Sequence, residues 1–341
     1  MDVRTNIPLK NFTTMRLGGP ARFFADARTP ADVQQLITHA KQQNLPVFIL
    51  GGGSNVLARD EGYSGLIIRM RIPGFELVED TLHSMAIKIG AGEIWDSVVE
   101  RTVSLNLSGI EAMSAIPGTA GAAPVQNVGA YGQEIAETLV SLEAYDTQAN
   151  TFVVLQNQDC EFSYRHSIFR GSQQGRYIIT SITLRLSKSL PAPPFYDSLQ
   201  AYLDANSITL YTQQTIRDAV KAIRAEKLPD PSVTANTGSF FKNSIIESWQ
   251  ADELRQQHPD IKLFEMADGR MKVPSGWLIE RAGLKGQLLH GIRVYEKNAL
   301  VLVNESAEGY ADLAAAREEV ISKVRDTFRV IIEQEPLEIG L

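Results

Sequence analysis

Two glycine-rich segments carry the clearest chemical suggestion in this sequence. Gly51-Gly52-Gly53-Ser54-Asn55 directly follows an apolar, strand-like stretch, Pro46–Leu50. Glycines there let the backbone turn sharply and aim several N–H groups at one point. Such a concavity holds an anion without any basic side chain, although a plain tight turn would use the same residues. The second segment runs from Ala115 to Gly132, AIPGTAGAAPVQNVGAYG. Small residues dominate it and few charges solvate it, so something must pack closely on its backbone. A helix–strand contact would do this. So would a flat cofactor with a diphosphate, which needs close approach and N–H donors together.

Other polar residues stand in settings with ordinary structural explanations. Ser239 lies between Gly238 and the paired Phe240-Phe241, with Lys242 and Asn243 just beyond; a glycine-turned loop with both rings packed inward accounts for it. Arg165 sits amid aromatics in Glu161-Phe162-Ser163-Tyr164-Arg165, and Glu333-Gln334-Glu335-Pro336 reads as a solvated tail. Arg224 and Lys227 close a helix before Leu228-Pro229-Asp230-Pro231, where cations favour the helix dipole. His39, His83, His166, His258 and His290 are scattered, with no His-Glu-x-x-His and no acid cluster at ligand spacing, so no metal site is expected. There is no Gly-x-Ser-x-Gly elbow and no phosphate-loop lysine motif. Neither Gly51-Gly52-Gly53 nor Gly90-Ala91-Gly92 has the third glycine of a Rossmann fingerprint.

The elements that must carry these residues are mixed. The chain has 341 residues, 44% of them apolar and 21% charged, which fits two or three soluble domains and excludes fibrous or globally disordered classes. One cysteine permits no internal disulfide. A net charge of −7 argues against affinity built on a nucleic-acid backbone. No apolar run reaches bilayer length, and the start, Met1 to Asn6, lacks a secretory pattern, so a cytoplasmic protein is expected. Strands are predicted at Ala21–Asp26, Pro46–Leu50, Gly65–Met70, Ala86–Gly90, Leu139–Tyr145, Thr151–Leu155, Tyr177–Leu186 and Val330–Ile332. Helices are predicted from Thr29-Pro30 to Gln43, over Glu93–Asn106 and Gln213–Glu226, and over Ala311–Phe328. Pro191-Ala192-Pro193-Pro194 interrupts the pattern as a loop or linker.

Taken in order, these segments resemble the UDP-N-acetylenolpyruvoylglucosamine reductases. The matching pieces are Asn11–Gly19 (NFTTMRLGG), Gly51–Asn55, Ile116–Gly132, Tyr164-Arg165, Lys227–Pro231, Gly238–Asn243, Ser275–Ile279 (SGWLI), and Glu335 before Ile339-Gly340. The resemblance implies an α+β fold, a two-subdomain FAD-binding unit of the PCMH or vanillyl-alcohol-oxidase type with a C-terminal α+β substrate-binding domain. It divides the chain into residues 1–72 and 73–212 as the two FAD-binding subdomains and 213–329 as the substrate-binding domain, with 330–341 packing back near the first. It implies FAD as cofactor and NADPH as electron donor, with a UDP-sugar as substrate. Nucleic acid and membrane insertion have no place in it, and a monomer fits. Pro193-Pro194-Phe195-Tyr196 fits the branch with a tyrosine-bearing lid.

By that resemblance Arg165, Ser239 and Glu335 are catalytic, and Tyr131, Tyr196, Lys227, Asn243 and Lys272 are substrate-binding. Cofactor contacts fall on Gly51, Gly52, Gly53, Ser54, Asn55, Pro117, Gly118, Thr119, Ala122, Gln126, Asn127, Gly129 and Arg224. Hydride from reduced flavin would reach the outer carbon of an enolpyruvyl group, Arg165 and Glu335 would stabilise the enolate, and Ser239 would give the proton. A serine hydroxyl is a poor acid, so Lys242, Asn243 or water would assist it. Ala122 and Ala123 stand where some members carry serines, and Leu337 replaces a frequent arginine. Two other readings compete: a flavin oxidase using oxygen on the same fold, and a nucleotide-sugar sensor that binds without turnover.

Overall fold

A computed structural model describes residues 2–339; Met1 of the expected start, Gly340 of the Ile339-Gly340 ending and Leu341 lie outside the described residues. The chain forms two compact units. The first contains the chain through Ile7, Ala21–Gly53 and Ser64–Ala225, and the second Pro8–Pro20, Ser54–Tyr63 and the chain from Glu226 on. The expected divisions at 72/73 and 212/213 are not where these units meet along the sequence. The helix Gln213–Lys227 explains the second difference: Ile216, Ala219, Val220 and Ile223 bury one stripe against Leu199 and Leu203 of the first unit.

In the first unit, Arg4–Pro8, Pro20–Ala27, Tyr63–Met70 and Val47–Leu50 form a four-stranded sheet in that order. Val47–Leu50 runs parallel to Tyr63–Met70, with Leu50 opposite Arg69. A second, antiparallel sheet orders Thr151–Gln156, Leu139–Asp146, Tyr177–Ser187, Ser84–Gly90 and Phe75–Asp80. Phe75–Asp80 escapes sequence patterning because it is an exposed edge rich in acids. The helix Pro30–Gln42 starts as Thr29-Pro30 dictates: Asp32 N–H donates to Thr29 Oγ1 (3.1 Å) and Thr29 N–H to Asp32 Oδ2 (2.9 Å). Its Val33, Leu36, Ile37 and Ala40 are buried, as are Trp95, Val98, Val99 and Val103 of Trp95–Ser104, all in one core.

The second unit is built on Asn236–Ser239, Val301–Asn304, Ile292–Val294 and Leu288–Leu289, an antiparallel sheet in that order. A smaller sheet joins Ser244–Ile246, Met271–Val273 and Phe264–Glu265. The long helix Tyr310–Phe328 turns Leu313, Ala316, Val320, Val324 and Phe328 into the core with Phe240 and Phe241. The strand expected at Val330–Ile332 does not form. Val330 and Ile332 are buried and Ile331 exposed, so the segment alternates like a strand without a ladder. The terminal strand is instead Leu337–Ile339, parallel to Val56–Ala58. Among the described residues no helix is long and apolar enough to cross a membrane.

Two buried carboxylates tie acid stability to this fold. Arg176 bonds Asp146 at 2.8 Å and holds it at about 2, helped by the Gln148 and Ala149 N–H groups. Burial works to raise Glu338, but bonds from Tyr310, Arg59 and Arg317 bring it down to about 2. Both folded values lie below the ordinary carboxylate range, so their contribution is complete above about pH 4.5 and is lost as pH falls toward 2. The urea midpoint should therefore decline from pH 5 to pH 2, and Glu338→Gln should flatten the decline; an unchanged slope in that variant would remove Glu338 from the account.

Candidate active site

The two glycine-rich segments meet backbone to backbone in the first unit. A Cβ added to Gly51 would lie 2.8 Å from Thr119 Oγ1, and one added to Gly52 would lie 2.8 Å from Gly118 Cα. Gly118 has φ +130, and its carbonyl accepts from Trp95 N–H at 3.1 Å. Ala120 and Gly121 are small for packing reasons: they donate to Glu93 O and Ala91 O, both at 2.9 Å, and a Cβ on Gly121 would lie 2.5 Å from that of Ala91. The packing reading of this stretch thus holds at Ala120 and Gly121. Around Gly51, Gly52 and Gly118 a cradle remains that side chains would fill, and in it Thr119 Oγ1 is buried without a hydrogen-bond partner. A buried hydroxyl left unsatisfied costs about 1–3 kcal/mol, so this arrangement fits a bound polar group such as a diphosphate. The Ala122 N–H, at one of the positions where some members carry serine, donates to Thr119 O at 3.0 Å.

Arg165 sits at the tip of a tight turn in which Ser163 and His166 exchange backbone hydrogen bonds of 3.1 Å. Its φ is +55, its guanidinium lies 5.6 Å from the Tyr164 ring, and Nη2 donates to Gly129 O at 3.3 Å. The turn is fastened by Asn127, which donates to Glu134 Oε2 (2.7 Å) and Ser163 O (3.1 Å) and accepts from Ala136 N–H (3.2 Å). The Asn127 side chain thus fastens the turn that carries Arg165. Gln126 accepts from Arg170 at 3.0 Å, and Gly129 pairs with Glu134 in a short hairpin.

That hairpin turns through Tyr131 (φ +49) and Gly132 (φ +86), the geometry of a two-residue turn with both residues left-handed. It presents the Tyr131 ring edge-on to Tyr196, centroids 6.1 Å apart at 89°. Burial pushes the Tyr131 phenol up while the Arg224 charge pulls it back, and burial lowers Arg224. The first unit thus brings Tyr131, Tyr196 and Arg224 together. Lys227, on the same helix as Arg224, is exposed. Beneath Pro191–Tyr196 lies a cavity of about 310 Å³.

In the second unit, Ser239 ends a strand paired opposite Val301, just after Gly238 at φ +70. Asn236 shapes this stretch by donating to Pro229 O and Thr234 O and accepting from Gly238 N–H at 2.7 Å. The strand continues alongside Glu333–Glu335: Lys242 N–H donates to Glu333 O (2.9 Å) and Glu335 N–H to Phe240 O (2.8 Å). The supposed solvated tail is a structural partner of the Ser239 loop, and Glu335 is 9% exposed. Lys242 Nζ, one of the assistants expected for Ser239, lies 3.2 Å from Glu333 in an ion pair. Asn243 Oδ1 accepts from Ser275 N–H at 3.2 Å, and the Lys272 ammonium lies 5.6 Å from the centre of the Phe264 ring. Ser54 and Asn55 belong here as well, with Asn55 O accepting from Leu337 N–H at 3.1 Å. Among the described residues no cluster of His, Cys, Asp or Glu could hold a metal.

Comparison with known proteins bears on both units. The FAD binding domain family matches residues 21–154, and the C-terminal domain of UDP-N-acetylenolpyruvoylglucosamine reductase matches 230–339. The UDP-N-acetylenolpyruvoylglucosamine reductase of Ralstonia nicotianae is 41% identical over 336 residues, covering 97% of this chain and 98% of its own. That of Pseudomonas aeruginosa is 38% identical, covering 98% of each. The chain belongs to the UDP-N-acetylenolpyruvoylglucosamine reductase family.

The crystal structure of the Thermus caldophilus UDP-N-acetylenolpyruvylglucosamine reductase superimposes over the whole of both chains with a TM-score of 0.69 at 22% identity, and so shares the fold. Like its family, this reductase chain carries an FAD-binding domain on an α+β fold with a separate C-terminal domain, as the sequence implied. FAD would lie against Gly51, Gly52, Gly118 and Thr119, whose cradle and orphan hydroxyl fit it.

One pair in the site has no motif. Arg217, 3% exposed, donates to Asp96 Oδ1 (2.6 Å) and Oδ2 (3.0 Å) and to Ser114 Oγ (3.0 Å), while Asp96 Oδ1 also accepts from Ala115 N–H at 2.6 Å. Ala115 has φ +58, a backbone that costs an L-residue about 1–2 kcal/mol. The pair holds that strained residue where the chain enters Ile116–Gly118. Burial works to raise the Asp96 carboxyl, but the Arg217 and Ala115 bonds keep it below its ordinary value. A basic residue at a buried helical position was the only trace in the sequence.

Proposed function

We propose that this chain reduces UDP-N-acetyl-3-O-(1-carboxyvinyl)glucosamine to UDP-N-acetylmuramate with NADPH, in peptidoglycan precursor synthesis in the cytoplasm. The observation that carries this reading is the pairing, in the second unit, of the Ser239 loop with the segment of the buried Glu335 through the 2.8 Å bond from Glu335 N–H to Phe240 O. It occurs in a chain that also holds an FAD-binding domain. Bound FAD would supply the two-electron transfer between the nicotinamide and the vinyl group.

The protein's residues have separable tasks. Electron density arriving at the outer vinyl carbon leaves negative charge beside the carboxylate, and Arg165 supplies a fixed cation for it. Glu335 donates a hydrogen bond to the same enolate. Ser239 delivers a proton to the inner carbon, and solvent restores it through Asn243 or water. Tyr131, Tyr196, Lys227 and Lys272 bind the nucleotide sugar, whose diphosphate favours charge-assisted bonds of about 1.5–3 kcal/mol each. Arg224 contacts the flavin or this diphosphate.

The test is spectroscopic. The purified protein should be yellow, and NADPH added without oxygen should bleach it. The enolpyruvyl sugar should then restore the colour without oxygen. Bleached protein that recovers only on admitting air would favour the oxidase reading; failure of NADPH to bleach it would overturn the proposal.

A further inference from the structure

Glu335 can act only if its buried carboxyl points in one direction, yet the segment that carries it has little regular structure. Gln334 makes one isolated bridge to Phe241, Glu335 N–H bonds Phe240 O, and the ladder resumes at Leu337. What closes this gap comes from the middle of the helix Tyr310–Phe328. Arg317 Nη1 faces Gln334 Oε1 at 2.6 Å, Glu338 Oε1 at 2.7 Å and the Tyr310 hydroxyl at 3.2 Å. Gln334 precedes Glu335 and Glu338 follows it by three residues, so one guanidinium holds the chain on both sides of the carboxyl. Gln334 Nε2 donates onward to Pro336 O at 3.1 Å, tightening the turn over Glu335. Arg59 fixes the other oxygen of Glu338, at 3.1 and 2.7 Å. The side chain of Arg317 is 21% exposed, so this is not a solvated surface pair.

We infer that Arg317 is a positioning residue for the reaction, acting through Gln334 and Glu338 to set the direction of the Glu335 carboxyl. The inference rests on the catalytic assignment of Glu335 made above. Displacing a reacting group by about 1 Å can cost about 10²-fold in rate. All three contacts converge on Nη1, and the planar guanidinium fixes where that nitrogen sits, whereas a lysine brings the charge on a flexible stem.

The experiment uses the full chain loaded with FAD and reduced photochemically without oxygen, so that the nicotinamide step does not enter. On mixing with the enolpyruvyl sugar, Arg317→Met should reoxidise about 10–100-fold more slowly than the parent, with Arg317→Lys intermediate. Gln334→Met, which removes one acceptor and keeps the volume, should slow reoxidation in the same direction. Hydrogen exchange supplies a readout independent of turnover: the Glu335 amide should exchange faster in Arg317→Met while amides of the Asn236–Ser239 strand do not. Parental reoxidation and exchange in Arg317→Met and Gln334→Met, with Glu335→Gln slow, would overturn the positioning role alone. Parental reoxidation in Glu335→Gln would overturn the catalytic assignment and this inference with it. A lowered melting temperature with parental reoxidation would mark Arg317 as structural and also overturn it.

Discussion

Ser239→Ala is expected to leave the flavin bound and reducible by NADPH while slowing reduction of the enolpyruvyl sugar by about 10²–10⁴-fold, the usual range for a positioned general acid. The substitution removes only an oxygen. Phe240 and Phe241, which follow it, remain fully buried anchors, and Asn236 still holds the Gly238 N–H at 2.7 Å. The loop should therefore keep its course, and Tm should change little. The two half-reactions separate the readings: the second should fail alone, and the enolate should be protonated slowly by solvent. Reduction in deuterium oxide offers a check, because solvent protonation without the serine should lose stereochemical control at the new centre. Unchanged turnover would exclude Ser239 from the proton transfer.

Glu335→Gln should have an effect of similar size by a different route. The amide fits the same space and keeps the backbone bond from residue 335 N–H to Phe240 O, so folding and flavin content should hold. An amide N–H remains a weak acid as charge develops opposite it, whereas a carboxylic acid donates more strongly as the enolate forms. Removing one such donor costs about 10²–10³ in rate. Stopped-flow should find normal bleaching by NADPH and a slow return of colour with the sugar. Full activity would dismiss Glu335 from the chemistry.

How much of this was legible in the sequence differs by level. The helix Pro30–Gln42 was readable because Thr29 and Pro30 are a local start signal, and Gln213–Lys227 because the Pro229-Asp230-Pro231 brake is local as well. The terminal strand was misplaced because Val330–Ile332 has strand chemistry but no neighbour to pair with, whereas Leu337–Ile339 finds Val56–Ala58 some 280 residues earlier. Ser239 and Glu335 were recognisable only through family motifs; from their own neighbourhoods they read as a packed loop and a tail. Asn127 was assigned to the cofactor by its motif, and only its partners in space show that it fastens the Arg165 turn. Asp96 and Arg317 carried no signal, and Arg217 only that of a basic residue at a buried helical position, since each matters through a partner that the linear chain does not place beside it.

The division of the chain also constrains any attempt to take the molecule apart. The polypeptide passes from one unit to the other after Ile7, Pro20, Gly53, Tyr63 and Ala225. No single cut yields both halves: a fragment ending at Ala225 would carry Pro8–Pro20 and Ser54–Tyr63 as unpaired leftovers, and the remaining piece would lack the strand Val56–Ala58 that its own terminus needs. Neither piece should express as a well-behaved protein by itself. A ribosome making this chain must release the strand Leu337–Ile339 before the second unit can close it onto Val56–Ala58.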